Sequence, residues 1–142
     1  MNKFLPNKLA LIVLASACSV ILISMGLRQT FGLFFEAFEN GLGVTRTEFG
    51  LAIGIQMLFW GFFAPVFGIL ADKFGGNKAV FLGFLIFALG IFMLYSGPNT
   101  GIYFQLALGV LVGTALGATA IGVPVSEVGK HFPNETRTIA TG

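Results

Sequence analysis

Four long apolar runs, joined by connections of a few polar residues, constrain this chain more than any other feature. A bilayer core of about 30 Å takes roughly 20 apolar residues in a helix, and four stretches qualify. The first starts near Leu9, stays apolar to Leu27 and continues through "RQTFGLFFEAF" to about Phe38, giving 9–38. The second covers 49–71, the third 79–95 and the fourth 103–125. Between them lie "ENGLGVTRTE", "DKFGGNK" and "SGPNT", and "GKHFPNETRT" follows the fourth. Connections this short make successive helices antiparallel and leave no room for a soluble domain. The expected fold is an all-α membrane protein with four transmembrane helices.

Composition agrees with that reading. Of 142 residues only 10% are charged and 56% are hydrophobic, and the mean hydropathy is +0.90. A soluble domain carries about a quarter of its residues charged, so the partner of this surface is the lipid bilayer. One cysteine, Cys18, and one histidine, His131, exclude a disulfide framework, a thiolate metal cluster and a haem held by paired histidines. No metal or cofactor is expected, and a net charge of +2 gives no reason to expect nucleic acid. The spacing shows no paired acids, nucleophile motif or phosphate loop, so the chain does not read as an enzyme.

The start, "MNKFLPNKLALIVLASACS", has lysines before an apolar run that reaches Cys18, in the manner of a signal peptide or lipoprotein box. The run continues past Cys18, and Ala15 stands where such a box prefers a large aliphatic residue. An uncleaved first transmembrane helix fits better. Orientation follows from the basic residues. With the N-terminus in the cytoplasm, the inner pieces carry Lys3, Lys8, Lys73, Lys78, Lys130 and Arg137, six bases against Arg46 alone outside. The expected location is the plasma (inner) membrane, multi-pass, with the sequon at Asn134 on the cytoplasmic side.

Glycine is the next signal. At about 100° per residue, Gly50, Gly54, Gly61 and Gly68 fall within roughly 40° of one another. Gly109, Gly113 and Gly117 repeat the device in the fourth segment. Such stripes let helix backbones approach where lipid removes the hydrophobic drive to associate, so both are expected to pack helices. Pro65 and Pro124 release the carbonyls of Gly61 and Ala120 and are candidate kink points.

Arg28 is the exception to the apolar pattern. It lies about six residues, roughly 9 Å of rise, outside the midpoint of the first segment. A guanidinium there must face protein, water or an anion. Three readings stay open: snorkelling to the outer interface, pairing with a glutamate, or binding an anion through its fork of donors. Ser24 and Gly32 share its face and would leave a small, partly polar recess.

These residues amount to a resemblance. "GILADKFG", with Gly68, Asp72, Lys73 and Gly75, is similar to the signature between helices two and three of the major facilitator superfamily. "RQTFGLFF", "GVTRTEFGLAIG" and "HFPNETRTIATG", the last through Phe132, Pro133, Arg137, Ala140 and Gly142, resemble its oxalate/formate antiporter-like and monocarboxylate transporter branch. Two departures stand out. Gly76 and Asn77 precede Lys78 where the signature continues with bases, and Gly109 occupies the place of the arginine found in proton-driven drug exporters.

The resemblance implies a secondary active transporter working by alternating access on a small organic anion such as a mono- or dicarboxylate. In monocarboxylate relatives the position of Arg28 holds a base implicated in anion binding. It also implies that Gly68, Asp72, Lys73, Gly75 and Lys78 form a cytoplasmic conformational latch. Asp72 would meet a neighbouring helix N-terminus, and Glu127 would pair with Lys73 or Lys78. A complete member has twelve helices in two halves of inverted repeats. The expectation is therefore an N-terminal piece ending where a fifth helix begins, its remainder a missing partner. A small four-helix scaffold without transport activity is the alternative.

Overall fold

The structure, a computed structural model, describes residues 8–132 and Thr141. Expectations that fall on Lys3, Pro133, Asn134, Arg137, Ala140, Gly142 and the start of a fifth helix lie outside the described residues. The described chain is all helical, and four stretches are long and apolar enough to cross a membrane. They are Lys8–Thr30, Arg46–Phe74, Gly76–Ser96 and Gly101–His131, here spans one to four.

Span one is α1 (Lys8–Thr30), followed by a separate short helix, α2 (Phe35–Leu42). The continuous helix expected to Phe38 is thus interrupted. Around Gly32 the backbone closes tighter bonds, Phe31 N–H to the Arg28 carbonyl at 3.4 Å and Leu33 N–H to the Thr30 carbonyl at 2.9 Å. Gly43, left-handed at φ 65°, ends α2 with its N–H on the Glu39 carbonyl at 3.1 Å.

Span two is α3 (Arg46–Phe74), which starts earlier than the apolar run does. Thr45 and Glu48 form a capping box: the Thr45 hydroxyl accepts from the Glu48 N–H, and a Glu48 carboxylate oxygen accepts from the Thr45 N–H. That satisfies two otherwise orphaned donors and draws the start out to Arg46. Pro65 sits on the exposed side of α3, and the helix passes through it without a break. Span three is α4 (Gly76–Ser96).

Span four is the interior of the bundle and the least regular. It consists of α5 (Gly101–Phe104), a π-helical segment (Gln105–Leu111), α6 (Val112–Thr119) and α7 (Gly122–His131). The π segment coincides with the buried Gln56 amide of α3, which donates to the Leu108 carbonyl at 3.3 Å. A side chain competing for ladder acceptors is a known cause of helix irregularity. The interruption at Ala120–Ile121 lies four residues before Pro124, whose ring crowds the Ala120 carbonyl and whose nitrogen cannot donate.

Spans two, three and one pack around span four, and 67% of its apolar window is buried, against 11–22% for the others. The main core joins Ala52 of α3, Phe87 of α4 and Phe104, Leu108, Val112, Ala115 and Leu116 of span four. Close approach here depends on glycine, though not on every glycine expected. Gly109, Gly113 and Gly117 face α3: a Cβ at Gly113 would lie 2.7 Å from the Gln56 carbonyl oxygen and 2.9 Å from its Cα. Gly83 and Gly90 of α4 face span four in the same way, against Ala118 and Val112.

The stripe on α3 is the correction. Gly50, Gly54, Gly61 and Gly68 have open space where a Cβ would stand, and the first three are exposed. The packed face of α3 is the one bearing Ala52, Gln56 and Phe67. Without a hydrophobic drive inside lipid, a small-residue stripe marks where close approach is permitted, not where it occurs.

Candidate functional site

Two places concentrate polar groups in this apolar bundle. The first is built on Arg28, in the last turn of α1. A helical side chain leans toward its own helix's N-terminus, so Arg28 points back into the bundle and away from the nearer end. The contacts agree: its guanidinium carbon stands 5.4 Å from the centroid of the Trp60 ring, and Nη2 donates to Met57 Sδ at 3.3 Å. Met57 and Trp60 sit near the middle of α3. Arg28 is half-buried, its Nε is buried without a hydrogen-bond partner, and among the described residues no acid pairs with it. Its position at the end of α1, beside carbonyls that carry partial negative charge, favours the cation there.

Among the described residues, then, no glutamate pairs with Arg28, and its contacts run to Met57 and Trp60. The recess expected between Ser24 and Gly32 does not form. Ser24 is buried and its hydroxyl donates to the Thr119 carbonyl of α6 at 2.9 Å, sharing the bond with the Val20 carbonyl. That carbonyl stands immediately before the interruption in span four, and a Ser side chain supplies the donor the broken ladder lacks. Gly32 lies in the turn beyond α1.

The second place is the turn between spans two and three. Gly75 adopts φ 96° and ψ 141°, a conformation open to glycine alone without strain. It separates α3 from α4 by one residue. The first helical N–H of α4, on Gly76, then donates to a Glu127 carboxylate oxygen of α7 at 2.8 Å. A carboxylate at a helix N-terminus is favoured by both the orphaned donors and the helix dipole. Asp72, expected at a helix N-terminus, instead pairs with Lys130 at 3.2 Å, and Glu127 stands 3.6 Å from the same lysine.

The contacts at the turn therefore differ in their partners from expectation. Lys73 lies over the Phe74 ring at 5.5 Å, Lys78 lies in a cavity wall beside the turn, and neither makes an ion pair among the described residues. Lys130, which spacing did not single out, is the base that joins the acids of α3 and α7. The side chains of Lys130 and Asp72 are 41% and 72% exposed, so the pair is worth at most about 1 kcal/mol. A Cβ at Gly68, the signature's first glycine, would meet open space among the described residues.

A cavity of about 710 Å³ opens between α1, α4 and α7 beside this turn. Its wall is mostly apolar, from Leu9, Ile12 and Val20 to Phe81 and Phe84, with Lys78, Glu127 and His131 at one end. Arg28 is not part of it.

With fold and polar groups placed, comparison with known proteins is direct. Residues 14–142 match the Major Facilitator Superfamily. The chain belongs to that superfamily. The "Probable nitrate transporter NarT" of Staphylococcus haemolyticus is 25% identical, over 84% of this chain and 36% of its own length. The "Putative metabolite transport protein YwtG" of Bacillus subtilis is 32% identical, over 70% of this chain and 20% of its own. The riboflavin transporter RibZ of Clostridioides difficile is 32% identical, over 59% and 18% respectively. The chain thus spans about a third of the nitrate-transporter relative and less of the others. No solved structure matches the chain. It is an integral membrane protein of a superfamily whose members carry small solutes.

Proposed function

We propose that the chain forms part of a secondary transporter that moves a small anion by alternating access, with Arg28 as the anion contact. The observation that carries this reading is a guanidinium held at mid-bundle on Trp60 and Met57, with no acid to neutralise it among the described residues. An unneutralised cation at that depth is costly unless an anion or water meets it during the working cycle. The resemblance to the oxalate/formate and monocarboxylate branch and the similarity to a nitrate transporter both support a small oxyanion. Organic carboxylate is the substrate class favoured here.

The Asp72–Lys130 and Glu127–Gly76 contacts act, in this reading, as the latch that holds one access state. Uptake of labelled formate, oxalate, lactate and nitrate into proteoliposomes holding the full-length transporter tests both parts. Saturable uptake of at least one of the four is expected, and transport of none would overturn the anion assignment. Asp72→Asn should lower that uptake at equal abundance in the membrane, because it removes a weak, switchable pair and no core contact. Equal uptake by this variant and the unaltered protein would reduce the turn to a topology signal.

The bases Lys8, Lys73, Lys78 and Lys130 stand at or near the helix ends that include the turn, and Arg46 begins α3 at its other end. We place the former end in the cytoplasm of a plasma (inner) membrane. Single cysteines introduced at Thr45, Asn99, Asn77 and Asn134, in a chain with Cys18 replaced by serine, report the sidedness. Impermeant maleimide added outside should label the first two and spare the other two. Labelling at Asn77 would invert the topology.

A further inference from the structure

A charged side chain with four rotatable bonds makes a poor receptor unless something holds its head in place. For Arg28 the holding contacts among the described residues come from α3. The Trp60 ring lies under the guanidinium, its centroid 5.4 Å from Cζ, and Met57 Sδ takes one Nη2 hydrogen at 3.3 Å. Trp60 is itself anchored, packing against the core cluster that includes Ala115 and Leu116 of α6. Tryptophan is the strongest of the aromatic partners for a cation, and the attraction grows as water is excluded.

We infer that Trp60 is a positioning residue for the anion bound by Arg28, and that the ligand is a small planar oxyanion held edge-on in the guanidinium plane. This rests on Arg28 being the anion contact. The indole occupies one face of the guanidinium, and its own negative π face repels an anion approaching from that side. Met57 takes one in-plane hydrogen, and the buried, unpartnered Nε–H shows that the donor set is incomplete without a further acceptor. Planar carboxylate and planar nitrate both match the remaining in-plane fork. An uncharged solute does not, and a tetrahedral oxyanion, which can also engage such a fork, carries an oxygen out of the plane toward the repelling indole face. The indole also offsets part of the desolvation of the cation, so Arg28 stays charged and in register when no anion is bound.

Trp60 is the one tryptophan among these 142 residues, and the difference in intrinsic emission between the unaltered protein and Trp60→Phe isolates its signal. Formate and nitrate, titrated separately against the protein in lipid nanodiscs, should each produce a saturable change in that emission. Calorimetric titration should show Trp60→Leu binding roughly tenfold more weakly, with Trp60→Phe in between because a ring is retained. If Trp60 acts through Arg28, Trp60→Leu adds nothing in an Arg28→Gln background. A purely packing role predicts an equal further loss there, and that result overturns the inference, as does unchanged affinity in Trp60→Leu. Should Trp60→Leu fail to fold, the same coupling measured with Trp60→Phe decides. Unchanged affinity in Arg28→Gln removes the anion contact itself, and weakened binding in Arg28→Gln with normal binding in Trp60→Leu removes only the role of the ring. If neither anion binds the unaltered protein, both fall. The tighter binder of the two says whether the planar oxyanion is a carboxylate or nitrate-like.

Discussion

Arg28→Gln should weaken anion binding by a factor between roughly 30 and several thousand. Removing one member of a charge-assisted pair in a partly dry site costs about 2–5 kcal/mol, and each 1.4 kcal/mol is tenfold in affinity. Much of that cost arises because the anion is left without a counter-charge, so the neutral amide of glutamine, though a donor, recovers little. Arg28→Lys should keep part of the binding, since the ammonium retains the charge but lacks the planar fork and stacks less well on Trp60. The measurement is equilibrium binding or uptake affinity in reconstituted membranes, normalised to protein inserted. If Arg28 served only to pack against Met57 and Trp60, both variants would change yield or thermal stability and leave affinity alone. That pattern would end the anion assignment.

Gly113→Leu should be the most destabilising substitution at any of the glycines. Even the first added carbon meets backbone there, the Gln56 carbonyl oxygen at 2.7 Å and its Cα at 2.9 Å, with Phe59 Cβ at 3.0 Å. Backbone inside a helix cannot swing aside as a side chain can, so α3 and α6 must separate. Overpacking of this kind typically costs 1–3 kcal/mol for extra methylenes, and four carbons against the α3 backbone should cost at least about 3 kcal/mol. Separation would also strain the Gln56–Leu108 bond, which lies at the same crossing. Gly54→Ala is the matched control, because nothing stands within 4 Å of its added carbon. It should be neutral or gain up to about 1 kcal/mol from helix propensity. Thermal unfolding of both variants in detergent compares them, and equal stability would refute the crossing described here.

Much of the architecture was legible from residue order. Run length gave four spans, because bilayer thickness leaves helix length little freedom. The signature at Gly68–Gly75 gave the superfamily, and Pro124 marked where span four breaks, since its missing donor acts locally. The ends of α3 were also readable in principle: Thr45 and Glu48 carry a capping box that spacing alone reveals, although hydropathy pointed to Phe49.

What residue order did not determine is which way each helix faces. Periodicity fixes the angle between Gly50, Gly54, Gly61 and Gly68 but not the direction of their common face, and lipid is as apolar as the core. In water, hydropathy would separate inside from outside. Here it cannot, so the glycines of α3 and those of span four read alike although, among the described residues, only the latter are packed. The same holds for the polar groups. The Glu127 contact with Gly76, the Lys130 pair with Asp72, the Ser24 bond to Thr119 and the seat of Arg28 on Trp60 each join residues on different helices. Their charges are visible in the sequence, but their pairing depends on helix rotation and crossing, which only the close packing of glycine against backbone in the tertiary structure sets.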